Sequence, residues 1–248
     1  MSKKTQNENE DYLMESDGGQ ISMITEISTD VDESTTPLDL NKEIPVMPLR
    51  NMVMFPHVVM PITIGRASTL KLVNVTFRKK QPIVLVCQLS AEVDEPGYQD
   101  LYHVGVVAKV LRVFEMPGGT TTAIMQSSGP KVHLDSIVKI QPYMKGMVSP
   151  LNDEEEEEGS EEFKALMDSC KELANKYVEK SERMAPDTIF AIKNLDHPVI
   201  LVNFICANFP FSADEKVQLL RYNSLKDRMY RLIQIFGGYK ASNSETNS

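Results

Sequence analysis

The sequence predicts an α+β protein: a β-rich lobe with one crossing helix, followed by an α-helical bundle. Two spacings and one charge run carry that prediction. Between residues 44 and 143 the apolar residues form short β-branched runs or alternate at period two, as buried and half-buried strands do. From residue 163 onward they recur at a period of 3.6, the stripe of an amphipathic helix. Between the two lies NDEEEEEGSEE, residues 152–162, with eight acidic and no basic residues. Such a run repels itself, so residues 144–162 are expected to form a solvated acidic linker.

Residues 1–43 open the chain with three basic against eleven acidic residues and much Ser, Thr and Asn. Isolated Ile21, Met23, Ile24 and Ile27 set up no period, and a segment that buries so little cannot offset the entropy of ordering. It is expected to be a disordered acidic tail. Residues 44–61, IPVMPLRNMVMFPHVVMP, are as apolar as a buried strand but carry Pro45, Pro48, Pro56 and Pro61. Proline gives no N–H to a ladder, so the stretch must be cut into pieces. The expectation is a short entry or edge strand at 46–49, a turn over 51–57 stiffened by Pro56, and a strand at 58–64 with Pro61 at an edge or bulge. Leu70, Val73 and Phe77 mark a helix over 67–78. PIVLVC at 82–87 is a strand covered on both faces. Residues 103–115 form a long strand, MPGGTT a hairpin turn into 122–126, and 132–140 a further strand.

In the second half, Phe163, Leu166, Met167, Cys170, Leu173, Ala174 and Tyr177 define one long helix, closed by Pro186. Shorter helices are expected at 187–194 and at 198–207, the latter apolar nearly all round and hence buried. Ser212 and Glu215 have capping-box spacing for a helix through Leu220. Leu225, Met229, Leu232, Ile233 and Phe236 define a last helix, stopped by Gly237 and Gly238. The bundle is thus expected over 163–238, with a polar tail at 239–248.

With 248 residues, 42% of them hydrophobic, the chain can fill a core. Its longest apolar stretches, such as 199–205, are far short of the ~20 residues needed to cross a bilayer, and its first 30 residues are too polar for a signal peptide. A soluble, cytoplasmic protein without a membrane partner is expected. Cys87, Cys170 and Cys206 are widely spaced in apolar segments and read as buried, reduced thiols. The net charge of −9 hides a mildly basic body, because residues 44–151 carry +5 and 163–248 carry +2.

Catalytic signals are missing. No GxxxxGK[ST] loop is present to cradle phosphates. His57, His103, His133 and His197 lack ligand spacing. Serine precedes lysine by three at Ser68/Lys71 and Ser128/Lys131, without an oxyanion-hole motif beside either. No catalytic, cofactor-binding or metal residue is assigned, and no cofactor is expected. Binding remains. Arg78, Lys79 and Lys80 could attract a phosphate backbone, but no aromatic ladder accompanies them, and basic residues at a helix end also suit its dipole. Fourteen methionines offer adaptable apolar contact, and Met52, Met54 and Phe55, between two strands, are the candidates for meeting a partner chain. Met47 and Met60 read as core.

Residues 44–66, IPVMPLRNMVMFPHVVMPITIGR, together with PIVLVCQ (82–88), EVDEP (92–96) and DLYHVGVVAKVLRV (100–113), resemble in order and spacing the amino-terminal domain of the Lon protease family. LDHPVILVNFICANF (195–209), FSADEKVQLL (211–220) and SLKDRMYRL (224–232) resemble the helices that follow in that family. The resemblance implies a PUA-like β pseudo-barrel followed by helices, which recognise unfolded, damaged or degron-bearing proteins and help Lon-type subunits assemble. The family's ATPase and Ser-Lys protease modules have no matching positions in this sequence, so no catalytic residue carries over. Two departures from the family are the acidic run and the glycine pair, where a long coiled segment should continue. A nucleic-acid-binding PUA-like module and a free-standing regulator or adaptor of Lon subunits are the alternative readings.

Overall fold

A computed structural model describes Asp39 and residues 41–127, 129–182 and 184–245, with side chains through residue 238. The tail expected at 1–43 lies almost wholly outside these residues, as do Ser128 and the last three positions. The order is β1 (Ile44–Leu49), β2 (Val59–Ile64), α1 (Ala67–Lys79), β3 (Ile83–Gln88), β4 (Leu101–Glu115), β5 (Thr121–Gln126), β6 (Lys131–Lys139) and β7 (Lys145–Leu151). Five helices follow: α2 (Glu161–Lys180), α3 (Asp187–Asn194), α4 (Pro198–Asn208), α5 (Ala213–Arg221) and α6 (Leu225–Glu245). Among the described residues the architecture is α+β, with a seven-stranded sheet and six α-helices.

Strand pairing explains the two covered runs. The sheet runs β2-β5-β4-β3-β1-β7-β6, and β6 pairs back onto β4, so β4, β3, β1, β7 and β6 close into a ring. Closure gives β1 and β3 two buried faces. Ile44, Val46, Val84 and Val86 join Val132, Leu134 and Val148 in a cluster to which all five ring strands contribute. The alternate residues Met47, Leu49, Ile83, Leu85 and Cys87 join the main core shared with α1 and the later helices. β1 tolerates its prolines because it is short and pairs β7 at only two positions. β2 pairs β5 alone, which leaves Pro61 on the open edge of the sheet.

β7 lies inside the segment expected to be linker. Its inward positions are Gly146 and Val148, so only one side chain signals a buried face. Glycine is required at the first, where a Cβ would sit 2.5 Å from the Ser136 carbonyl oxygen.

The helices pack as the apolar stripes direct. Phe163, Leu166, Met167, Cys170 and Ala174 of α2 are buried, and α4 is buried over 201–207. Tyr177, Phe209, Phe211 and Phe236 gather with ring centroids 5.4–6.0 Å apart. Ser212 caps α5 reciprocally with Glu215, as the spacing predicts. The last stop signal fails, however: α6 continues through Gly237 and Gly238 to Glu245. Each glycine costs a helix about 1 kcal/mol, which weakens it without breaking it. Neither glycine has a positive φ, so no C-cap forms there. α2 also ends at Lys180, six residues before Pro186. Cys87, Cys170 and Cys206 are free and buried, and desolvation pushes their thiols up to about 11, 12 and 12.

Candidate recognition site

A cavity of about 530 Å³ opens at the start of α1. Val46 and Pro48 of β1 and Leu72 of α1 form one side, and Ile140, Pro142 and Met144 of the β6–β7 connection another. The rim is polar: Arg66, Ser68, Thr69 and Lys71 from the helix start, with Asp94 and Glu95 from the loop after β3. Ile140 is 50% exposed although fully apolar, and its neighbour Val138 is 51% exposed.

The helix terminus at this cavity is uncapped. Arg66 holds the cap position with extended backbone and no side-chain cap, and the first turn contains no acidic residue. The first backbone bond within the helix runs from Leu70 N–H to the Arg66 carbonyl, 2.9 Å. The N–H groups of Ala67, Ser68 and Thr69 therefore lack helical acceptors. Thr69 is 8% exposed, lines the cavity and has no side-chain hydrogen-bond partner among the described residues.

The cation beside it is held in place. Arg66 donates through Nη2 to Gln88 Oε1 and, at 3.3 Å, to the Val93 carbonyl. Gln88, itself buried, donates to the carbonyls of Ser90 at 3.0 Å and Val93 at 2.9 Å. Burial draws the Arg66 pKa down; Arg50 pushes the same way and Asp94 opposes it. Asp94 is engaged by Arg50 at 2.5 Å.

The candidates named from sequence fall elsewhere. Met54 and Phe55 are 2% and 0% exposed and belong to the main core, so neither offers a surface to a partner; Met52 is half-buried against that core. Their loop is drawn inward by the helices, since the Pro56 carbonyl accepts from Asn203 Nδ2 of α4 at 3.0 Å. Arg78, Lys79 and Lys80 are exposed at the far end of α1, about 18 Å from the cavity at 1.5 Å per residue. Lys80 adopts a left-handed conformation, φ 50°, and closes the helix by donating its N–H to Phe77. The histidines come together in a way their spacing does not reveal: His103 lies edge-on to His133, centroids 6.1 Å apart. Among the described residues, no three potential ligands gather to hold a metal.

The acidic run is likewise more than a solvated linker. Asp153 bridges Lys131 of β6 at 2.6 Å and Arg228 of α6 at 3.6 Å. Lys131 also donates to Tyr222 O and Asn223 Oδ1, and Arg228 to Asn203 Oδ1 and Tyr222 O. Glu156 accepts from Ser224 Oγ and the Lys226 N–H at the start of α6. Glu162 accepts from Lys226 and Tyr230. The run straps the strands to the last helix.

Residues missed from the sequence, chiefly Thr69 and Ile140, carry a faint local signal. A helix that begins R-A-S-T with no acidic residue in its first turn leaves its amide donors for something else. No local pattern brings Ile140 to the same cavity.

Residues 43–236 match the family model of the ATP-dependent protease La (LON) substrate-binding domain. The chain is 37% identical to the Lon protease of Parabacteroides distasonis over 91% of its own length and 27% of the relative's. It is 35% identical to that of Flavobacterium johnsoniae over 83% and 25%. It therefore spans about a quarter of the length of these relatives. Among solved structures, the N-terminal domain of Mycobacterium avium complex Lon protease shares the fold, with a TM-score of 0.62, 20% identity and coverage of 79% of this chain and 98% of that one. The Lon N-terminal domain protein of Xanthomonas campestris does so with a TM-score of 0.52, 14% identity and coverage of 78% and 98%. The chain belongs to the Lon protease substrate-binding domain family.

Proposed function

We propose that this chain is the non-catalytic substrate-recognition and assembly part of a Lon-type ATP-dependent protease, binding unfolded, damaged or degron-bearing proteins in the cytoplasm and needing no cofactor of its own. The observation that carries the reading is the open cavity at the start of α1, with apolar walls and an exposed Ile140 at its edge. Apolar residues left in water beside a concave site mark a binding surface. No helix among the described residues is long and apolar enough to cross a membrane. We read the closed ring as the PUA-like pseudo-barrel of the family and α2 to α6 as its helical bundle, with other Lon-type subunits as assembly partners.

Titration of the chain with a permanently unfolded model protein, followed by amide chemical shifts, tests this reading. Saturable binding should shift residues 46–48, 66–72 and 140–144, and Ile140→Asp should weaken it about tenfold. Absence of saturable binding would overturn the proposal.

A further inference from the structure

We infer that the cavity captures the free carboxyl terminus of a client chain whose last residue is apolar; the inference rests on the recognition role proposed above and names the feature recognised. Three observations converge on it. The N–H groups of Ala67, Ser68 and Thr69 have no helical acceptors, no side chain caps them, and the first turn holds no acid. Thr69, more than nine-tenths buried, lines the cavity with its hydroxyl unpartnered among the described residues. Apolar walls that solvent reaches, among them Pro48, Ile140 and Pro142, stand beside these donors in one space of about 530 Å³. Amide donors at a helix start favour an anion, and an apolar cavity of this size encloses a short peptide end.

A chain terminus satisfies both halves at once. Its carboxylate and its last side chain leave the same Cα, so a single residue can place an oxyanion on the helix N–H groups and an apolar group against the walls. Charge agrees with that occupant. Arg66 and Lys71 share the lining with Asp94 and Glu95, but Asp94 is already held by Arg50 at 2.5 Å. The local balance is therefore one positive charge in excess.

The test uses the whole chain and a fluorescein-labelled peptide ending in Leu-Leu, prepared as the free acid, as the terminal amide, and as an amide carrying an internal aspartate. Fluorescence anisotropy should show the free acid binding about tenfold more tightly than either amide, as charge-assisted hydrogen bonds allow. Ala67→Glu supplies the chain's own carboxylate to the helix start. It should leave thermal stability unchanged or raised, lower free-acid affinity about tenfold, and spare the amide. Equal affinity for acid and amide, tight binding of the internal aspartate, or an Ala67→Glu chain that still prefers the acid would each overturn the assignment. If the unfolded protein binds saturably while acid and amide bind alike, recognition stands and the carboxylate site falls. If neither protein nor peptide binds, both fall.

Discussion

Replacing Asp153 with asparagine removes the one carboxylate shared by two buried cations. The Lys131 side chain is 0% exposed and that of Arg228 2%, whereas Asp153 is 49% exposed. The cations keep their neutral acceptors at Tyr222, Asn223 and Asn203, so hydrogen bonding survives and charge compensation is lost. At an effective dielectric of about 20 an ion pair at 4 Å is worth about 4 kcal/mol, and the half-exposed carboxylate reduces that by roughly half for each cation. The variant no longer incurs the cost of partly desolvating that carboxylate, which leaves a net loss of about 3 kcal/mol, at the lower edge of the range for breaking a buried pair. In a domain of this size that corresponds to a fall in Tm of roughly 6–12 °C. Urea unfolding followed by far-UV circular dichroism measures the loss without the ionic screening that guanidinium adds. Adding Lys131→Met to Asp153→Asn should recover 1 kcal/mol or more, roughly, because the stranded ammonium is gone. A loss below about 1 kcal/mol, with no coupling in the double variant, would refute the view that the acidic run clamps the strands to α6.

Lys216 is buried, donates to the Ala207 carbonyl at 2.7 Å, and is held by desolvation at a pKa of about 8, against 10.5 unfolded. Between those values the unfolded chain binds more protons, so stability rises with pH. The three cysteine thiols, raised above their unfolded value of 9, oppose this from about pH 8 upward, because thiols of the unfolded chain already begin to ionise there. From pH 8 to 9 Lys216 should therefore contribute about 1 kcal/mol that the thiols roughly cancel, so the parent chain should change little while Lys216→Met should lose about 1 kcal/mol, as urea titrations at the two pH values will report. Gly237→Ala and Gly238→Ala should each add about 0.5–1 kcal/mol, because both sites are helical and a Cβ at either meets open space. A lower Tm for either variant would show that α6 ends at the glycines.

Much of the chain follows from local pattern. Strands appear where β-branched runs predict them, helices where the 3.6 stripe does, and Ser212 caps α5 where its spacing to Glu215 requires. The failures are instructive. β7 escaped because glycine and proline occupy positions that would otherwise alternate, a choice forced by the close approach of β6. Gly237 and Gly238 read as a stop because glycine just past the last apolar position of a stripe ordinarily caps a helix end, whereas here the helix continues at a cost of about 2 kcal/mol. Met54 and Phe55 read as a surface because a loop between strands is ordinarily exposed, and only α4 packing over it sends both inward.

The sequence by itself determined most of the elements, the cap of α5, the buried thiols and, through the resemblance carried by residues 44–232, the family. Period, propensity and motif are properties of neighbours along the chain. Only the tertiary structure decided that β6 closes onto β4, that Asp153 joins Lys131 to Arg228, and that Ile140 shares a cavity with an uncapped helix start. Each is a juxtaposition of residues tens of positions apart, set by closure of the ring and packing of the helices, and no local spacing encodes it.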